Sequence, residues 1–270
     1  MALTDFNEYV ERLEENNDAT FQMQGNQARI TLSNANWQFF QTISPTAPTT
    51  SVALDKNSGQ SISPIPAVST GRLTFLGAKI TTTTLAGGGA MLIDLLNVNG
   101  GLSGTVTTPQ TTNLPTAALT RYTSGEGVMA GIVVYSPVGT TLSTITISYT
   151  NQAGTSGRTS TATTFGGGIY RQTGVLIPIP LQAGDTGIRS IESVTVAATT
   201  GTAGGFGVCL FKPLAMISFE STTGQSSLDA VSTGCIIGSL CEIHPDACLT
   251  ISGIAAAITS MVGAITLTEA

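Results

Sequence analysis

Within fourteen residues the chain places Cys235, Cys241, His244 and Cys248 in the order C-x5-C-x2-H-x3-C. Three thiolates and an imidazole form a donor set for tetrahedral zinc, although this spacing is not that of the paired knuckles that zinc modules use. In oxidising surroundings Cys235, Cys241 and Cys248 could instead form disulfides, within one chain or between neighbours. As a third reading, they are small buried apolar thiols. Spacing leaves all three open, so no metal or other cofactor is assigned and zinc on Cys235, Cys241, His244 and Cys248 stays an alternative. Cys209, between Val208 and Leu210 in an apolar run, reads as core.

Catalytic groupings are sparse. His244 is the one histidine, and no Gly-x-Ser-x-Gly elbow supplies a nucleophile for it. The phosphate-cradling Gly-x-x-x-x-Gly-Lys-Ser/Thr pattern and the dinucleotide fingerprint are both missing. Asp94, Glu126, Asp185 and Glu192 are the acids that could pair for glycoside cleavage. Their types and settings read as turn residues and solvated strand ends. The expectation is a protein without enzymatic activity.

Charge is confined to a few places. Of sixteen acidic residues, Asp5, Glu8, Glu11, Glu14, Glu15 and Asp18 lie in the first eighteen positions, and the chain as a whole is 10% charged with a net charge of -6. A soluble surface usually carries about a quarter of charged residues, so either Thr, Ser, Asn and Gln hydrate this surface or neighbouring subunits cover it. Three lysines (Lys56, Lys79, Lys212) and scattered arginines form no phosphate-binding patch, which argues against a nucleic-acid partner. Met1 to Phe6 lack the basic and apolar regions of a secretory leader, so assembly in the cytoplasm of the producing cell is expected. The uncharged stretch Cys248 to Leu267 is long enough to cross a bilayer. Its many Thr, Ser and Gly residues favour a buried strand pair or buried helix, and no membrane partner is expected.

The elements that would position these residues follow from periodicity. Leu3, Phe6, Val10 and Leu13 make one apolar stripe on a helix over Leu3 to Asp18, with Asp5 and Glu8 at capping-box spacing. Its acidic C-terminal end opposes the macrodipole, so the helix needs a partner, and Phe6, Tyr9, Val10 and Leu13 are the expected docking side chains. Residues 21–70 read as an extended arm or linker, with a strand over Ala28 to Leu32 and Pro/Ser/Thr-rich runs at 44–50 and 63–66. From 71 to 220 the pattern is all-β. Runs at Arg72–Thr84, Gly89–Leu96, Val128–Tyr135, Thr141–Thr150, Gly174–Pro180, Ile191–Ala197 and Gly205–Leu214 are separated by Gly- and Pro-bearing breaks. Asn151 to Gly154 reads as a turn, as do the triplets Gly87 to Gly89 and Gly166 to Gly168. Residues 221–270 form a cysteine-bearing extension. The expected fold is a two-sheet β-sandwich, jelly-roll-like, with a docking helix over 1–20 and an arm.

Ile145–Thr161 (ITISYTNQAGTSGRTST), Val175–Val194 (VLIPIPLQAGDTGIRSIESV) and Gly204–Ala215 (GGFGVCLFKPLA) resemble accessory virion proteins of tailed bacteriophages, the head-decoration and collar or neck type. The resemblance runs from Ile145 to Ala215, about a quarter of the chain, and includes neither the acidic N-terminus nor the cysteine-bearing tail. It implies a structural role in the virion. In that role a β-sandwich oligomer decorates or reinforces head, collar or neck, with terminal extensions contacting capsid, portal or neck proteins. Thr- and Ser-rich contacts avoid repulsion between identical copies. The alternative is a receptor- or carbohydrate-binding head fibre using exposed aromatic residues such as Tyr122, Tyr135 or Tyr170.

Overall fold

The computed structural model describes residues 18–25, 37–39, 48, 50–58, 61, 73–82, 88–111, 114, 118–168, 170–219, 225–229, 242–255 and 261–269. The expected helix up to residue 17, with Phe6, Tyr9, Val10 and Leu13, lies outside them, as do the Ala28 to Leu32 strand, Cys235 and Cys241. The described elements are all strands: β1 (Asp18–Gly25), β2 (Trp37–Phe39), β3 (Val52–Ala53), β4 (Leu73–Thr82), β5 (Gly88–Val98), β6 (Met129–Ser136), β7 (Ser143–Asn151), β8 (Arg158–Thr159), β9 (Thr163–Phe165), β10 (Val175–Ile179), β11 (Ile188–Val196), β12 (Gly205–Phe219), β13 (Gln225–Asp229), β14 (Glu242–Ile243), β15 (Leu249–Ala255) and β16 (Met261–Glu269). Every strand pairing is antiparallel.

Two kinds of strand sequence produce two kinds of sheet. In β7 buried and partly exposed positions alternate, so one face is covered and the other meets water. It pairs with β11, β8 and β9 in a four-stranded sheet. In β6 the run from Ala130 to Tyr135 is buried throughout, as is Met91 to Val98 in β5. Such continuous apolar runs belong to strands covered on both faces.

Those strands build a second sheet in the order β12-β6-β10-β2-β15-β5-β3, and an additional β12–β5 pairing closes it into a six-stranded ring. Alternate residues then serve two cores. Ala130, Ile132 and Val134 of β6, Val175, Ile177 and Ile179 of β10, and Phe206, Val208 and Leu210 of β12 pack against Ile145, Ile147 and Tyr149 of β7 and Ile191, Val194 and Val196 of β11. This is the β-sandwich. Val133, Tyr135, Leu176, Cys209 and Phe211 point the other way and join Met91, Ile93, Leu95 and Cys248 in a second cluster. Cys209 is core as its flanking residues predict, and burial pushes its thiol pKa up.

The third sheet extends the ring. Strand β5 lies between β12 and β15, and β4 lies between β13 and β16, so the strands that precede and follow one another in sequence keep the same neighbours in the two sheets. The register shows where they cross: Phe219 pairs with Gly88 and then Gln225 with Thr81, while Ala255 pairs with Gly88 and then Met261 with Thr82. A straight ladder would put Leu73 roughly 70 Å from Asp94. Yet Ile243 pairs with Leu73 and Leu249 with Asp94, and the short chain between them spans at most about 20 Å. The ladder therefore bends, and the third sheet folds back along the ring.

The termini take part in this architecture. The expected arm supplies β1, paired along its length with β16, together with β2 and β3. Asp18, taken as the end of the docking helix, opens β1. The Cys248 to Leu267 stretch divides into β15 and β16 in different sheets, and among the described residues no helix is long and apolar enough to cross a membrane. Gly88 and Gly89 belong to β5, not to a turn, because the ring needs strand there. Gly166 to Gly168 do form a turn, all at positive φ, and Gly154 (φ 83°) closes the expected Asn151 turn with its N–H on the Asn151 carbonyl at 2.9 Å.

Gly207 shows how tightly the ring is packed: a Cβ there would lie 1.9 Å from the Asn99 carbonyl oxygen. Gly207→Ala is expected to cost about 3 kcal/mol, read as a lowered urea midpoint. Gly184→Ala has positive φ but open space around it and should cost only about 1 kcal/mol.

Candidate functional site

One charged residue interrupts the apolar run of β5. Asp94 is fully buried, and Arg121 reaches it with Nε on Oδ2 at 2.9 Å and an NH2 group on Oδ1 at 2.6 Å. The remaining guanidinium nitrogen donates to the Leu54 carbonyl at 2.7 Å, and the Cys248 N–H donates to Asp94 Oδ1 at 2.9 Å. Leu95 N–H in turn bonds the Cys248 carbonyl at 2.9 Å. A carboxylate without water is tolerated when a fork of fixed donors surrounds it. The sequence reading of Asp94 as a solvated strand end is corrected: it joins β5, the arm, the 121–128 loop and the start of β15.

A second network lies on the four-stranded sheet. Asp185 accepts from Arg158 Nε (2.9 Å) and NH2 (3.1 Å), Tyr149 Oη (2.5 Å) and Asn151 Nδ2 (2.8 Å). The Arg158 guanidinium, then the Tyr149 hydroxyl, hold its pKa down to about 2, with Asn151 adding to them. Glu192 accepts from Ser148 (2.9 Å), Thr150 (2.8 Å) and the Gly157 N–H. Burial opposes its charge, yet the Thr150 and Ser148 hydroxyls and the Gly157 N–H keep its pKa below the ordinary value. Both carboxylates are therefore ionised and saturated at neutral pH, poor properties for a general acid. Their work is to pin the 151–158 turn and the 181–187 loop to β7 and β11.

Glu126 sits in a loop clamped from three sides. Thr186 donates to its carboxylate at 2.8 Å, Lys212 Nζ donates to its carbonyl at 2.9 Å, and Arg189 holds the Ser124 carbonyl at 3.1 Å. Lys212 also lies 5.6 Å from the centre of the Tyr122 ring. Of the four acids considered for glycoside chemistry, Asp185 and Glu192 share the Gly157–Arg158 segment and Glu126 adjoins them through Thr186, whereas Asp94 stands in the other network.

The aromatic residues expected as an exposed platform are placed otherwise. Tyr135 is 7% exposed and donates its hydroxyl to the Asn99 carbonyl at 2.7 Å; burial pushes its pKa up. Tyr122 and Tyr170 are half-buried and pack against the sandwich core. Of the Cys/His group, Cys248 is a buried free thiol whose pKa is pushed up to about 12, first by burial. His244 accepts the Asp246 N–H on Nδ1 at 3.1 Å in the turn ahead of it, and Lys56 bridges to Asp246 at 3.1 Å. Among the described residues no group of three or more His, Cys, Asp or Glu is placed to hold a metal. Sequence reasoning missed the Arg121 partnership, though one signal was present: an acid inside a run that reads as buried on both faces requires a buried cation.

No family model matches the chain, and no curated protein does. Among solved structures, matches are found to particles of infectious bursal disease virus. The structure of the Gt strain aligns at 10% identity over 93% of this chain and 80% of that chain, with a TM-score of 0.16. The derived T=1 particles align at 11% identity over 94% and 77%, with a TM-score of 0.18. The VP2 subviral particle aligns at 11% identity over 94% and 79%, with a TM-score of 0.17. At these scores the superpositions carry no argument.

Arg121→Met leaves Asp94 buried without its cation and is expected to cost about 3–5 kcal/mol in urea unfolding, more than the double replacement Asp94→Leu with Arg121→Met. The Asp185 network sets an acid limb. Its pKa is lower folded than unfolded, so its stabilisation is complete above the ordinary carboxylate range and is lost as pH falls towards 2. Asp185→Asn should flatten the fall in melting temperature between about pH 5 and pH 2; an unchanged slope would assign the acid limb to other groups.

Proposed function

We propose that the chain is a non-enzymatic structural component of a tailed-phage virion. It decorates or reinforces the head or the collar and neck, as a homo-oligomer whose β-sandwich makes the repeated contacts. The observation that carries this reading is the sequence resemblance of 145–161, 175–194 and 204–215 to accessory virion proteins, in segments that supply β7, β8, β10, β11 and the first part of β12. Two further features support it. The acids Asp94, Asp185 and Glu192 hold strands and loops together through saturated hydrogen bonding. The sparsely charged surface suits contacts between identical copies, where many weak contacts add up by avidity.

In this reading the acidic N-terminal helix seats on a capsid, portal or neck protein, or on a neighbouring copy, through Phe6, Tyr9, Val10 and Leu13. Cys235 and Cys241 are candidates for cross-links between chains. Cys248 is the weaker candidate of the three, since its thiol faces the ring cluster. The protein is then located in the virion after assembly in the host cytoplasm.

Removing residues 1–17 leaves β1 whole and is expected to abolish incorporation into particles while preserving the far-ultraviolet signature of the sheets. Normal incorporation would sink the docking role. Mass spectrometry of purified virions, reduced and unreduced, tests the assignment itself: the intact chain is expected at high copy number, and its absence from particles would overturn the virion reading.

A further inference from the structure

The end of β5 carries a group of polar side chains that the strand pairing buries without partners. Val98 pairs with Val52 and Asn97 with Ala53, and Ser51 and Asn99 are the residues that flank this short ladder at one end. Directly opposed residues share a face, and so do residues two apart along a strand. Ala53 and Asn97 therefore share one face of the β3–β5 ladder, with Ser51 and Asn99 each two positions along from them. On the other side of β5, Asn97 pairs with Leu210, a residue of the sandwich core, so this face borders the apolar layer between the sheets.

Asn97 is 1% exposed, and neither its amide nitrogen nor its amide oxygen has a hydrogen-bond partner among the described residues. Asn99 Oδ1 accepts the Val208 N–H at 2.7 Å, while its Nδ2 has no partner, and the buried Ser51 hydroxyl likewise has none. An amide buried in this way forgoes every hydrogen bond it makes in water, and leucine, of nearly the same shape, would forgo none. Its presence beside two further unpartnered polar groups calls for a ligand.

The donor and acceptor mixture identifies that ligand. Two amide nitrogens offer N–H groups, Asn97 Oδ1 offers lone pairs, and the Ser51 hydroxyl does either. A cation would face the N–H groups and an anion the amide oxygen; water, which donates twice and accepts twice, suits both. Ala53 ends at Cβ opposite Asn97 and is itself exposed, so no long side chain of β3 covers the amide from that position. Facing side chains about 5 Å apart at Cβ are within reach of one bridging molecule. We propose that Ser51, Asn97 and Asn99 form a site for ordered water that seats β3, the arm's last described strand, on β5. This inference stands whatever the protein's biological role.

A crystal structure of the full chain at about 1.5 Å resolution tests it directly. A water is expected about 2.7–3.2 Å from the Asn97 amide, with a second contact to Ser51 or Asn99. A protein group capping that amide, or dry packing around it, would overturn the proposal. In solution, Asn97→Leu should lower the melting temperature by about 4 °C, because it strands the Ser51 and Asn99 groups that the water bridges. An unchanged or raised melting temperature would mean that the site is dry.

Discussion

The Asp94–Arg121 pair is the interaction on which the rest of the structure depends. Strand β5 is covered on both faces, and its one charged residue cannot reach water. The guanidinium that neutralises it also takes the Leu54 carbonyl, and the carboxylate also takes the Cys248 N–H. Three segments far apart in sequence thus meet at one ion pair: the arm, the loop before β6 and the head of β15. A buried pair of this kind adds little stability compared with apolar residues of the same volume, but it punishes any arrangement that separates its members. It therefore acts as a test of registry where the ring closes.

The two sheets of the sandwich divide the polar work differently. The ring strands satisfy their backbones among themselves and leave side-chain polarity to a few fixed sites. The four-stranded sheet keeps one wet face, where Ser148, Thr150 and Glu192 bond across β7 and β11. Thr and Ser on that face provide hydration with few charges, which accounts for the composition without requiring that all of the surface be covered by partners. The charges on this sheet are spent locally, in fixing the 151–158 turn that follows β7 and the 181–187 loop beside it.

Much of this was legible because strands announce themselves by alternation or by continuous apolar runs. The seven expected runs correspond to β4, β5, β6, β7, β10, β11 and β12, with most boundaries within two residues; β12 runs on to Phe219 because β5 continues to pair with it. The short strands β2, β3 and β14 could not be read, since two or three residues have no period, and they exist because longer neighbours offer an edge. The partners of the terminal strands were not legible for a related reason. The pairing of β1 with β16 is a long-range fact that no local pattern records. Within the site, Asn151 and Gly154 declared their turn by chemistry, while the meeting of Asp185 with Tyr149 and Arg158 depended on the fold.

The β1–β16 pairing also sets an order in time. Synthesis delivers Asp18–Gly25 early, yet the edge it occupies is made by Met261–Glu269, and β2 similarly waits for β10 and β15. Neither N-terminal strand can be seated while the ribosome is still producing the middle of the chain. The sandwich layer of β6, β7, β10, β11 and β12 holds the more local pairings and can form first. The ring and the folded-back sheet close afterwards, once β15 and β16 have been made, and until then β1 presents an unpaired edge to every other nascent copy nearby.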